Sequence, residues 1–89
     1  MDICFAVTIV HSFGSRMSGR LFDSFDKAKE FMTKDYTERL RIDREEKKWD
    51  SVGTISFVEG HSGYASIVTP YEVGQDITFW LLGLKLMKG

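Results

Sequence analysis

TISFVEGHSGYASIVT, residues 54–69 of this 89-residue chain, contains two strand-like runs around a turn with two glycines. Its two outer parts, Thr54–Glu59 and Tyr64–Thr69, are short runs rich in β-branched and aromatic side chains. Residues 60–63 (GHSG) separate them, and glycine is favoured in turns that need positive backbone angles. The stretch therefore predicts a β-hairpin.

The GHSG turn also invites comparison with the glycine-flanked serine of a hydrolase. That strained turn requires glycine two residues before and two residues after the serine. Gly60 satisfies the first requirement, but Tyr64 occupies the second position, and the serine leads into a strand-like run. The hairpin turn is therefore the preferred interpretation, and an enzyme built on His61 and Glu59 is a minor alternative.

The remaining segments predict further strands around one helix. Ile3–His11 alternates bulky and small apolar side chains, which is typical of an interior strand. The glycines and serines of Ser12–Arg20 predict a flexible loop. Pro70 ends the second hairpin strand, and Asp76–Leu82 predicts a fourth strand.

One amphipathic helix is predicted from about Phe25, with Ser24 or Asp23 as its N-terminal cap. Its apolar stripe consists of Phe25, Ala28, Met32, Tyr36 and Leu40. Past Leu40 the charged sequence favours continued helix or a turn, with a break between Arg41 and Trp49.

These elements predict a single α+β domain over residues 1–89. Its expected sheet is mostly antiparallel, with about four strands in the sequence order β-α-β-β-β and the main helix on one face. The opposite face is expected to be too apolar to remain in water. Its expected members are Thr8, Val10, Ser66, Val68, Thr78, Trp80 and Leu82. A second copy, a partner protein or the C-terminal LGLKLMKG would cover it.

Composition argues against several classes of function. The net charge of −1 gives no general attraction to nucleic acid or to anionic lipid. Cys4 is the only cysteine, so neither an intrachain disulfide nor a cysteine zinc site is expected. We expect no cofactor and no metal, and a soluble protein in a reducing cytoplasm.

Several short motifs resemble small proteins encoded by bacteriophages and prophages. The similarity lies in VTIVHSFGSRMSGRLFDSFDKAKEFM, in the following TISFVEG and in a turn that contains Gly63-Tyr64. What this resemblance implies is an inhibitor of a bacterial defence system, similar to anti-CRISPR proteins, that acts by stoichiometric binding. Its expected partner is a host protein or ribonucleoprotein complex.

The sequence offers two sets of candidate binding residues. Large aromatic side chains concentrate interface energy, and the acidic residues of the charged segment could mimic phosphates. The first set is Trp49, Tyr64, Tyr71, Phe79, Trp80, Asp43, Glu45 and Glu46. The alternative function is a homo-oligomer that sequesters a small anionic ligand such as a signalling nucleotide. Its expected ligand-binding residues are Arg16, Arg20 and His61.

Overall fold

The computed structural model describes residues 3–12, 16–70 and 76–85. These residues contain five strands, one α-helix and one π-helical turn. The strands are β1 (Ile3–His11), β2 (Arg16–Phe22), β3 (Val52–Val58), β4 (Ser62–Val68) and β5 (Ile77–Lys85). The helix α1 (Phe25–Arg41) continues directly into the π-helical turn Ile42–Glu46.

The strands form one sheet in the order β2-β1-β5-β4-β3, and every neighbouring pair is antiparallel. The C-terminal strand β5 lies in the centre, where Phe79 is opposite Ile9 on β1 and Ala65 on β4. Thus β5 joins the β1–β2 hairpin to the β3–β4 hairpin. The predicted α+β class with one main helix is confirmed, although the sheet has five strands.

The additional strand is β2, and the loop predicted over Ser12–Arg20 is wrong for its Arg16–Arg20 portion. Residues 16–22 pair with β1 from His11–Arg16 to Phe5–Phe22. This pairing satisfies backbone groups that β1 would otherwise expose at a sheet edge. Glycine and serine in an edge strand weaken it only locally, so tertiary pairing overrides the loop-like composition.

The helix begins where the sequence predicts. The Ser24 hydroxyl accepts a hydrogen bond from the Lys27 amide at 3.2 Å, which caps the first turn. After Arg41 the amide of Lys47 donates to the Ile42 carbonyl at 3.0 Å, in the wider spacing of a π-helix. Lys48 then has a positive φ of 59° and ends the helical path.

The core lies between α1 and one side of the sheet. Four members of the predicted stripe are buried, and Leu40 packs against them at the edge. Their sheet partners are Val7, Ile9, Ala65, Ile67, Ile77, Phe79 and Leu81. Gly63 permits this packing, because a Cβ at that position would lie 2.5 Å from the Phe57 ring. The phenylalanine ring therefore occupies space that any larger residue at position 63 would need.

The predicted β3–β4 hairpin is confirmed, with Glu59–His61 as its turn. Gly60 has a φ of 74°, which explains the glycine, and the His61 amide donates to the Val58 carbonyl at 2.9 Å. The helices of the described residues are too short or too polar to cross a membrane.

The open face of the sheet as a candidate protein-binding surface

Helix α1 covers only one side of the sheet, and we call the other side the open face. Because side chains alternate along a strand and paired residues share a side, the register defines its members. They are Met17, Gly19 and Leu21 of β2; Cys4, Ala6, Thr8 and Val10 of β1; Thr78, Trp80, Leu82 and Leu84 of β5; Ser62, Tyr64, Ser66 and Val68 of β4; and Val52, Thr54, Ser56 and Val58 of β3. All seven residues that the sequence predicts for this face lie on it.

No charged side chain occurs among these described members of the open face. The face also contains nearly all the large apolar side chains that the described residues expose. They are Met17, Leu21, Val52, Val58, Tyr64, Val68, Trp80, Leu82 and Leu84, with Ile3 the exception on the other side. Ordinary surfaces carry many charged residues, so this face has the composition of an interface.

An aromatic ridge marks the middle of the open face. Tyr64 and Trp80 are directly opposite each other on β4 and β5, with ring centroids 4.7 Å apart and planes at 61°. Such an edge-to-face contact orients both rings. Trp80 nevertheless remains 43% exposed. The residues that continue this line of paired positions across the neighbouring strands are small. They are Thr8 and Gly19 beyond Trp80, and Ser56 beyond Tyr64. The relief of the face is therefore a ridge beside shallow grooves.

Hydroxyl groups supply the polar content of the open face. The hydroxyls of Thr54 and Ser66 form a hydrogen bond of 3.1 Å with each other across β3 and β4. A hydroxyl that already has a partner can be buried with little loss of free energy. This pair therefore does not oppose the covering of the face by another protein.

The remaining predicted aromatic anchors lie elsewhere. Phe79 is 0% exposed in the core and offers no surface to a partner, so its predicted role as a contact residue is wrong. Trp49 is half-buried after the π-helical turn, with the Lys47 ammonium 4.5 Å from its ring centroid. Tyr71 lies outside the described residues. Tyr64 and Trp80 are the two predicted anchors that the structure brings together.

The predicted acidic residues do not form one exposed cluster. Asp43 is buried and accepts a hydrogen bond from the Ser51 hydroxyl at 2.9 Å. Glu45 and Glu46 are exposed, but both face the Arg41 guanidinium, at 3.6 Å and 3.2 Å. Asp43 therefore has a structural role, whereas Glu45 and Glu46 are exposed and share one guanidinium with Glu38. Phosphate mimicry by Glu45 and Glu46 stays a prediction, without Asp43 as an exposed member.

Arg41 is the centre of this charged cluster. It also pairs with Glu38 at 2.6 Å, and that hydrogen bond lowers the pKa of the Glu38 carboxyl. The same hydrogen bond is the largest contribution that raises the pKa of Arg41. Since these groups are exposed, solvent screens them and the cluster contributes little to stability.

The residues predicted to bind an anionic ligand are dispersed within one chain. Arg16 and Arg20 lie on the edge strand β2, whereas His61 lies in the turn of the β3–β4 hairpin, with β1 and β5 between them. Arg20 places its guanidinium 5.3 Å from the centre of the Phe31 ring, on the helix side of the sheet. Within one chain, Arg16 and Arg20 therefore lie on a different part of the sheet from His61.

The turn of this hairpin contains a histidine–serine contact. His61 Nδ1 and the Ser62 hydroxyl are 2.9 Å apart. Glu59, the carboxylate considered with them, is instead paired with Lys29 of the helix. Among the described residues no group of three histidine, cysteine or acidic side chains has the arrangement of a metal site.

Sequence reasoning missed the outer parts of the open face. Met17 and Leu21 belong to β2, whose first part the composition predicts as a loop, and Leu84 belongs to the extension of β5 beyond Leu82. The alternation of Met17, Gly19 and Leu21 with polar residues was the available signal for β2.

No family model, curated protein or solved structure matches this chain.

Proposed function

We propose that this chain is a non-enzymatic binding protein that holds a partner protein on the open face and acts by stoichiometric contact. The observation that carries this proposal is that the described members of the open face include no charged side chain and nine exposed large apolar ones. Monomers seldom expose contiguous apolar patches beyond a few hundred Å². At about 25 cal/mol per Å² of apolar area, covering such a patch is worth several kcal/mol.

The position of the aromatic ridge supports the same function. Tyr64 and Trp80 lie on inner strands of the open face and are oriented by each other. Binding energy usually concentrates in such central, rigid aromatic side chains, while the surrounding contacts exclude water. We therefore assign Trp80 as the main anchor and Tyr64 as the residue that orients it.

The proposed target is a protein or ribonucleoprotein complex of a bacterial defence system. Support for this class comes from the resemblance of VTIVHSFGSRMSGRLFDSFDKAKEFM and TISFVEG to small phage proteins. An inhibitor of this kind needs a binding surface rather than a catalytic centre. The uncharged open face suits a target whose own binding surface is apolar, and not a nucleic-acid channel lined with basic residues.

The experiment is an infection assay in bacteria that carry, one at a time, defined defence systems including CRISPR effectors. We expect the native chain to restore phage infection against one system and to copurify with its effector complex in a constant molar ratio. Trp80→Glu places a charge on the open face and should abolish both effects. Thr37→Glu places the same charge on an exposed helix position and should leave them unchanged.

Titration of the purified effector complex separates binding from catalysis. A stoichiometric inhibitor reaches full inhibition at a fixed ratio to its target, whereas an enzyme inactivates an excess of target with time. Equal activity of Trp80→Glu and native protein would remove the open face from the proposal. Inhibition by substoichiometric amounts that increases with time would contradict a non-enzymatic action.

A further inference from the structure

We infer that a second copy of this chain covers the open face when no target is bound. The dimer would place two sheets face to face with a helix on each outer side. This inference rests on the proposed function, because it assumes that the open face is a protein-binding surface. It adds the identity of the partner that occupies the face in the isolated protein.

Charge is the first argument for a second copy. In a two-fold symmetric interface the same patch contributes from both subunits, so a charge near the axis would meet its own copy. The open face carries no charged side chain among its described members and creates no such repulsion. The open face of one copy can therefore pack against the open face of another without charge repulsion.

Area is the second argument. Five strands about 4.8 Å apart, with side chains at the margins, span about 24 Å, and seven residues at about 3.3 Å each span about 23 Å. The projected area is therefore about 550 Å², and the accessible area of a pleated surface with side chains is larger. Stable interfaces bury about 600–1,000 Å² per partner, so the projected area lies just below that range before the relief of the side chains is added.

Shape is the third argument. Sheets that pack face to face lie about 10 Å apart and interdigitate their side chains. The ridge of Trp80 and Tyr64 projects beside grooves formed by small side chains such as Thr8, Gly19 and Ser56. A two-fold axis that runs between the two sheets, above β5 and parallel to it, sets the Trp80 side chains of the two copies next to each other. Such an axis along the strands also sets the Tyr64 side of one copy against the Thr8 side of the other.

One consequence concerns the target. A defence protein that binds the same face competes with the second copy, so the homodimer is a form that must separate before the target binds. Apparent affinity for the target should then decrease as the concentration of the chain rises, because more of the face is already covered.

The test is the molar mass in solution, measured by light scattering and sedimentation equilibrium at several protein concentrations. We expect about twice the 10.2 kDa of one chain at high concentration. Trp80→Glu and Trp80→Lys should each have the mass of one chain, because like charges meet near the axis. An equimolar mixture of these two variants should recover the dimer, since opposite charges then meet. Thr37→Glu, exposed on the helix, should remain dimeric.

Circular dichroism establishes whether each variant is folded. If a Trp80 variant does not fold, Leu82→Glu and Leu82→Lys replace the Trp80 pair, because Leu82 is also exposed on the open face. Native protein with the mass of one chain at every concentration would overturn the inference, as would charge variants that remain dimeric. Because the mass is measured without a target, this result is independent of the infection assay. A monomer that still inhibits a defence system would retain the proposed function and remove the dimer.

Discussion

The neighbouring residues Leu81 and Leu82 allow the division of the sheet into a core side and an open face to be tested with identical substitutions. Leu81 is 0% exposed against the helix, whereas Leu82 is 49% exposed on the open face. We expect Leu81→Ala to reduce the free energy of unfolding by about 2–5 kcal/mol, because it removes buried methyl groups and leaves a cavity. A chain of this size has a total stability of about 4–13 kcal/mol, so this loss is a large fraction.

Leu82→Ala should have a much smaller effect in dilute solution, where the proposed dimer dissociates into single chains. About half of this side chain already contacts water, and its truncation leaves no enclosed cavity. Full burial of a leucine is worth about 1.5–3 kcal/mol, so we expect a loss of about 1 kcal/mol or less. At concentrations where the dimer forms, the loss caused by Leu82→Ala should increase, because this side chain is then covered in the native protein.

Urea denaturation followed by far-ultraviolet circular dichroism, at low and high protein concentration, measures both effects. The denaturant dependence of the free energy should be similar for both variants in dilute solution, so that midpoints report stability. The reasoning is refuted if Leu82→Ala costs as much as Leu81→Ala in dilute solution. It is also refuted if the loss of unfolding free energy depends on protein concentration for Leu81→Ala but not for Leu82→Ala.

Three further expectations follow from the packing and the charged cluster. Gly63→Ala should lower the free energy of unfolding by about 1–3 kcal/mol, since the new Cβ overlaps the Phe57 ring. Equal urea midpoints for the variant and the native protein would contradict this packing. Ser51→Ala should cost about 1–3 kcal/mol because it removes the hydroxyl that hydrogen-bonds to the buried Asp43; a neutral result in the same assay would refute that role. Arg41→Gln should raise the pKa of Glu38 toward its ordinary value, measured by NMR titration of the carboxyl carbon, and an unchanged pKa would exclude Arg41 as the cause. Because the native pKa of Glu38 is lowered, its small contribution to stability is present above the ordinary pKa and is lost as the pH falls through the lowered value.

Local patterns predicted most of the fold. Ile3–His11 has the same bounds in sequence and structure, and the Ser24 cap and the buried stripe begin α1 as expected. These features depend on neighbouring residues, on alternation of side chains and on the hydrogen bonding of the first helical turn. Local sequence is therefore sufficient for them.

Long-range pairing explains what the sequence did not predict. Residues Arg16–Phe22 become a strand because the edge of β1 offers backbone partners, which composition alone does not reveal. Phe79 and Trp80 are adjacent aromatic residues, and the sequence predicts both as contacts to a partner. Strand alternation buries Phe79 and exposes Trp80. Only the position of the helix determines which side is covered. The expected apolar face followed from alternation, whereas its extension by β2 required the pairing.

A protein that covers the open face would remove the Trp80 indole from water, and tryptophan fluorescence measures that change. In the Trp49→Phe variant, Trp80 is the only tryptophan and reports on this face alone. We expect its fluorescence at high protein concentration to be blue-shifted and protected from acrylamide, and to shift to the red on dilution or in Leu82→Glu. Emission typical of a water-exposed indole at every concentration, unchanged by the proposed target, would contradict the account.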